Sequence, residues 1–422
     1  MRILLLSNTP FLPATAGNRA RINQMVEFLL HNGAEVGMLM LPAADVAEWD
    51  LEAMRARLSY FEIATPRTGA RASGIGAVLA RRMVGAVAGR MRRAIDRAMP
   101  RRPRPLGIDD WCPSWFRARA ATVTEQLAPD VVVVEYVFLS ACLERLGRSG
   151  SRPTLTVIDT HDIMHQRTAA YATAGLAPQW FHTTYAEERR GLARAGIVLA
   201  ISEGDARVLQ EMLPGRTVLT VPHGYVLQRA PPEEALAGRL LFVASHNDLN
   251  VHGLRWFLDE VWPQLRAGTL DPELVVCGQI CEKLGAVPAG VILRGFTPSL
   301  SAEYANARVV INPVHAGTGL KVKVVEALCH GRPVISTQAG AEGISTGESQ
   351  GVLIADTASE FAETARRLLE HAGQCNRLSA AAAAHATRRF SPDSAFAPFM
   401  DYLAAAVSAR PGPDPNRRPS GS

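Results

Sequence analysis

Short apolar runs that stop on small or polar residues, separated by stretches of helical period, recur along most of this 422-residue chain. The first unit sets the pattern. Met1–Ser7 (MRILLLS) is apolar on consecutive residues, as a strand covered on both faces must be. Asn8–Asn18 is a loop rich in Pro, Thr, Ala and Gly. From about Arg19 to His31 the apolar residues Ile22, Met25, Val26, Leu29 and Leu30 share one helical stripe. Asn32-Gly33 ends that helix, and Glu35–Leu41 is a second strand. Strand, loop, helix and strand in this order open a doubly wound parallel sheet.

Residues 60–110 interrupt the rhythm, which then resumes. Strands are predicted at Val131–Val134, Leu155–Ile158, Val198–Ile201 and Val218–Val221, with a helix over roughly Trp180–Ala195. Pro231-Pro232 marks a linker. A second series follows, with strands at Leu240–Val243, Leu274–Cys277, Val291–Leu293, Val309–Ile311, Pro333–Ser336 and Gly351–Ile354. One helix is predicted from Phe361 to Arg389 and a last one at Phe396–Ala405. The expectation is two Rossmann-like domains, residues 1–228 and 235–390. A helix at about 393–408 would cross back to the first domain, and the Pro, Gly, Ser and Arg tail 411–422 would be disordered. With 47% apolar residues the chain has enough for two cores.

No uncharged apolar run reaches the length of a membrane span, and the apolar stretch Ile3–Leu6 is too short for a secretory signal. The expected location is the cytoplasm. Six scattered cysteines read as reduced thiols. The Cys277/Cys281 pair lacks two further ligands at zinc spacing, so no metal is assigned.

The segment Ile311–Thr337 (INPVHAGTGLKVKVVEALCHGRPVIST) carries the most chemistry. A strand ends at Pro313. The small-residue loop His315-Ala316-Gly317-Thr318-Gly319 leads into a helix near Leu320, and Gly331-Arg332-Pro333 stops it. Glycines before a helix expose backbone N–H groups to an anion. Lysine occurs only at Lys283, Lys321 and Lys323, among 45 basic residues, and two of the three fall here. Glu326 is one to two turns into the helix, where a carboxylate accepts hydrogen bonds from a ribose diol. The pattern fits a nucleoside diphosphate. A plain βα turn with a solvated helix face fits it equally well.

Gly317–Ile335 resembles the donor-site motif of retaining GT-B glycosyltransferases, particularly the family 4-like group (glycosyl transferases group 1). Leu4–Asn18, Asp130–Glu135, Ile158–Arg167, Tyr185–Ser202, Val221–Gly224, Phe242–Leu265, Arg294-Gly295-Phe296 and Arg389-Phe390-Ser391 resemble the same group in order. The resemblance implies two Rossmann-like domains facing a central cleft. It implies transfer of a sugar, with retention, from a nucleoside diphosphate sugar to an acceptor hydroxyl of a glycan or lipid-linked molecule, in cell-surface polysaccharide or glycolipid synthesis. No cofactor beyond the donor is implied. By resemblance, Lys321 contacts the diphosphate and Glu326 the ribose. Gly317, Thr318, Gly319, Leu320 and Lys323 line the donor site, Gly17 faces it across the cleft, and His161 lies close to the sugar. Catalysis is thereby assigned to His161 and Lys321. A histidine after a strand is, on sequence alone, more often structural. Many relatives carry a first acid eight positions before Glu326, where this chain has Thr318. They also carry a basic pair near the first strand of the second domain, where it has Ser245–Asn250.

Residues 67–104 hold eleven arginines and one acid, Asp96, a net +10 in a chain of +5 overall. Met83, Val84, Val87, Met91 and Ile95 are spaced as one helical face. This reads as a dock for an anionic membrane surface; a solvated helix packed on the first domain is the alternative. The segment has no Phe, Trp or Tyr to stack on bases, so nucleic acid is not expected as a partner. An epimerase-like GT-B enzyme and a non-catalytic nucleotide-sugar-binding protein remain the other functional readings.

Overall fold

The computed structural model describes residues 1–42, 49–66, 107–146, 154–173, 175, 183–229, 235–268 and 270–409. Thirteen strands among them form two wholly parallel sheets. The first comprises β1 (Arg2–Ser7), β2 (Glu35–Met40), β3 (Tyr60–Ile63), β4 (Val131–Glu135), β5 (Leu155–Asp159), β6 (Ile197–Ala200) and β7 (Thr217–Thr220), in the order β3-β2-β1-β4-β5-β6-β7. The second comprises β8 (Arg239–Val243), β9 (Glu273–Cys277), β10 (Val291–Gly295), β11 (Val309–Asn312), β12 (Val334–Ser336) and β13 (Val352–Ile354), in the order β10-β9-β8-β11-β12-β13.

Both sheets are covered on both faces, which is why their strands read as continuous apolar runs. Along β1, Leu4 and Leu6 enter one core while Ile3 and Leu5 enter the other. Strand order reverses between β1 and β4 in one sheet and between β8 and β11 in the other. Loops leaving the carboxyl ends of strands at such reversals form the crevice where open α/β sheets bind ligands.

Three expectations need correction. Tyr60–Ile63, placed in the interruption, is the edge strand, with Tyr60 opposite Gly37 of β2. Its Glu62 points to Arg119, 2.6 Å away, so a charge breaks the apolar run. The helix foreseen at Trp180–Ala195 is described over Tyr185–Leu192, where the Thr184 hydroxyl accepts from the Glu187 N–H. The single helix Phe361–Arg389 is two, Ala358–Glu370 and Ala372–Phe390, parted at His371. The break lets Phe361 and Leu368 pack with Phe242 and Phe257, while Ala382 and Ala386 turn onto Val324 and Leu328. Apolar spacing is continuous through the junction, so periodicity cannot reveal it. The last helix, Pro392–Ser408, sets Phe396, Phe399 and Leu403 into the core around Ile3 and Phe28.

Candidate active site

The chemistry collects at the two strand reversals. After β1, the helix Gly17–His31 begins against the second sheet's domain: a Cβ on Gly17 would sit 3.3 Å from Cγ2 of Val322. Four residues on, Arg21 is fully buried. Its Nε and Nη2 donate to the two carboxylate oxygens of Asp159 at 2.8 and 2.9 Å, and Nη1 donates to the Pro222 carbonyl at 3.0 Å. Burial pushes the Asp159 carboxyl up, but Arg21 and His161 outweigh it and hold it below the usual range.

Glu135 ends β4 and is wholly buried. Burial raises its proton affinity, opposed by the hydrogen bond with His161. The His161 Nε2 lies 2.5 Å from Glu135 Oε2 and 3.7 Å from Asp159 Oδ2. The ring stacks on Tyr136 with centroids 4.2 Å apart. His161 has φ 56°, a left-handed conformation that costs a non-glycine residue about 1–2 kcal/mol, so ring and backbone are both fixed by surroundings that offset strain. Glu135, Asp159 and His161 offer ligand atoms within 4.8 Å of one another, with the Arg21 guanidinium already on Asp159. His165, beyond the same end of β5, is paired with Glu188 at 2.7 Å.

In the second domain the loop after β11 leads to the helix Val322–Cys329, two residues later than expected, with Lys321 at its N-cap. Gly317 and Gly319 have φ of 137° and 71°. At Gly319 even a methyl group would meet Asp162 Oδ1 at 3.0 Å. The Lys321 side chain is only 12% exposed, and its Nζ donates to the carbonyls of Thr318 (2.9 Å) and Gly319 (3.1 Å), with Glu342 at 3.4 Å. Desolvation lowers its proton affinity, while Glu342 and Asp162 counter that shift. Leu320 is buried beside Ile201 and Val324. Lys323 lies deeper; its Nζ donates to Asn250 Oδ1 at 2.6 Å and sits 4.8 Å from the Phe242 ring centre. Burial, then Lys321, brings its pKa down to about 7. Thr318, where an acid was missed, donates its hydroxyl to Asp162 Oδ2 at 3.0 Å.

Glu326 lines a cavity of about 200 Å³ with Tyr225, Gln228, Ser301, Cys329 and His330, and accepts from the Tyr304 hydroxyl at 3.1 Å. Burial raises its pKa to about 7. The folded chain therefore retains a proton between pH 4.5 and 7 that the unfolded chain has lost, and stability falls as pH rises through that window. Glu326→Gln is expected to flatten this dependence and to stabilise the chain by ~1–2 kcal/mol at pH 8. Urea unfolding at pH 5 and pH 8 checks it; equal pH slopes in variant and wild type would contradict it.

Arg21 and Glu135 belong to the buried cluster around Asp159 and His161, although the sequence had not singled them out. Arg21 stands on the helix stripe of Ile22 and Met25, and a charge on an apolar stripe is the signal. Glu135 closes an otherwise apolar strand, the same signal in a strand.

Two facing, doubly wound sheets with ligand loops at both reversals define the GT-B architecture. Residues 237–371 match the family described as Glycosyl transferases group 1. The matched span begins just before β8 and takes in the second sheet. TarM superposes with a TM-score of 0.66 at 8% identity, over 95% of this chain and 98% of that one. The sucrose-phosphate synthase of Thermosynechococcus elongatus gives 0.66 at 15%, over 97% and 99%. HepE of Anabaena, in complex with UDP, gives 0.62 at 14%, over 96% and 100%. In sequence, an uncharacterised 44.6 kDa protein of the cps region of Klebsiella pneumoniae is 28% identical over 125 residues, which cover 27% of this chain and 32% of that protein.

Proposed function

We propose that this chain transfers a glycosyl group, with retention, from a nucleoside diphosphate sugar to an acceptor hydroxyl of a glycan or lipid-linked molecule. The observation that carries the reading is the meeting of the Gly317–Lys321 loop with the strand-end carboxylates and His161 of the opposite sheet, through the Thr318–Asp162 hydrogen bond. One side of this junction offers a buried ammonium and helix-end N–H groups for a diphosphate. The other offers a fixed imidazole. Glu326 in its cavity is matched to the ribose. Lys321 supplies the charge that a divalent metal would otherwise bring, so none is required in this scheme. HepE has been solved with UDP and glucose, and a TarM variant with UDP and α-GlcNAc-glycerol, which supports a nucleotide-sugar donor. The cps-region relative and WaaB, a lipopolysaccharide outer core galactosyltransferase, support a role in surface polysaccharide or glycolipid assembly.

Incubation with UDP-glucose, UDP-galactose, UDP-N-acetylglucosamine and GDP-mannose, with and without candidate acceptors, tests this. Release of free nucleoside diphosphate together with a glycosylated acceptor is expected. Interconversion of sugars without transfer would identify an epimerase-like enzyme, and binding without turnover a non-catalytic binder.

Among the described residues no helix is long and apolar enough to cross a membrane. The basic segment 67–104 lies outside those residues. On its charge of +10 we propose a cytoplasmic chain held at the inner membrane face. The wild-type chain is expected to float with anionic liposomes at low salt and not with neutral ones. Failure to float with anionic vesicles rules the dock out.

A further inference from the structure

We infer that Asp162 is the carboxylate that recognises the transferred sugar, supplied to the donor loop from across the domain cleft; this rests on the glycosyltransferase reading above. Asp162 follows His161 beyond β5, in the first domain, and its side chain is 9% exposed. Oδ2 accepts from Thr318 Oγ1 at 3.0 Å and Oδ1 accepts from the N–H of Ile163 at 2.8 Å. Arg167 Nη1 also donates to Oδ2, at 3.4 Å. Oδ1 would lie only 3.0 Å from a Cβ placed on Gly319.

The carboxylate is therefore seated on Thr318 and Gly319, the two residues whose carbonyls hold the Lys321 ammonium. If Lys321 meets the diphosphate, the next group along the donor, on the Thr318 side, is the sugar. A carboxylate repels a diphosphate, so an acid placed here is suited only to the neutral, hydroxyl-bearing part of the ligand. The nearer of its two partners at Oδ2 is itself an alcohol, which a sugar hydroxyl can replace at the same geometry. The loop 315–319 (His-Ala-Gly-Thr-Gly) has no acid of its own. Glu342, the acid beside Lys321, is 45% exposed and paired with the ammonium. Burial also lifts the Asp162 carboxyl above its ordinary range, against Arg167 and Lys321, as expected of a site closed to water. Because Asp162 and Thr318 belong to different domains, sugar recognition and domain closure become one event.

The test compares wild type, Asp162→Asn, Thr318→Glu and the double variant. UDP and GDP are titrated by calorimetry, and kcat/KM is measured with the nucleotide sugar selected from the panel above. Asp162→Asn is expected to keep nucleoside diphosphate affinity within about threefold while kcat/KM falls ~10- to 150-fold, the worth of a charge-assisted hydrogen bond. Thr318→Glu alone lowers kcat/KM, since two carboxylates would crowd one buried point. In the Asp162→Asn background the same change returns a carboxylate to that point and recovers about tenfold or more. An interdomain clasp with no role in sugar binding gives no such recovery, and its absence overturns the assignment. Unchanged kcat/KM in Asp162→Asn overturns it as well. Should Asp162→Asn not fold, Asp162→Glu, which displaces the charge by one methylene, is expected to show the same split. A wild-type chain that binds neither UDP nor GDP overturns the glycosyltransferase reading itself, and the assignment with it.

Discussion

Replacing Lys321 with alanine is expected to lower kcat by ~10²- to 10³-fold, with a much smaller change in nucleoside diphosphate affinity. Departure of the sugar concentrates negative charge on the diphosphate, so a cation already aimed at that position acts more strongly on the transition state than on the bound donor. In the proposed site Lys321 is already ordered for this: it stands at the N-cap position of the helix Val322–Cys329, and Thr318 and Gly319 hold its Nζ by their carbonyls. No side-chain rearrangement is needed to order the charge. Lys323 does not replace it, because its ammonium is turned onto Asn250 and the Phe242 ring. Burial and then Lys321 bring the Lys323 pKa down to about 7; with Lys321 gone the smaller of these two effects is lost, and Lys323 will be more fully charged at neutral pH without being better placed. Lys321→Arg should recover only part of the rate, since a planar guanidinium does not fit the pair of carbonyls that holds the ammonium. In wild type the lowered proton affinity of Lys321 brings the alkaline loss of rate to a lower pH than an ordinary lysine would show. A folded Lys321→Ala protein with wild-type kcat would remove Lys321 from the mechanism.

The parts of this fold that show in the sequence are those governed by local spacing. Strand and helix alternate with the periods that burial on a parallel sheet imposes. Loop 315–319 announces itself because glycine at φ 137° and 71° and a rare lysine are local requirements. What does not show depends on partners far away in the chain. Arg21 and Asp159 are 138 positions apart, and neither carries a mark of the other. Thr318 and Asp162 are 156 apart, so the missing acid of one loop and the spare acid of another look unrelated until the domains face each other. Glu135 was legible as a charge at a strand end, but its grip on His161 was not. The break at His371 is invisible for another reason: apolar spacing tells which residues are buried, not against which neighbour.

Arg21→Met is expected to cost ~3–5 kcal/mol of stability, the largest effect of any single change considered, because it leaves Asp159 buried with its main counter-charge gone and only the His161 ring, 3.7 Å away, beside it. Arg21 and Asp159 are both wholly buried and joined by two hydrogen bonds of 2.8 and 2.9 Å, so solvent offers neither an alternative partner. The same guanidinium ties the Pro222 carbonyl; burial, and then this guanidinium, keep the neighbouring His223 well below its usual pKa. Asp159 titrates below its unfolded value, so its contribution is present above that value and is lost as pH falls through the folded one. Wild type should therefore lose this stabilisation only in acid. In Arg21→Met it is absent at pH 7, and Asp159 will take up a proton on folding there instead. A paired change, Arg21→Met with Asp159→Leu, removes both charges and should regain most of the loss, since a buried ion pair adds little over apolar packing. Urea unfolding of the two variants at pH 7 separates these outcomes. A loss under ~1 kcal/mol in Arg21→Met, or no recovery in the double variant, would mean that the pair does not hold the β1–β5 end of the sheet together in this way.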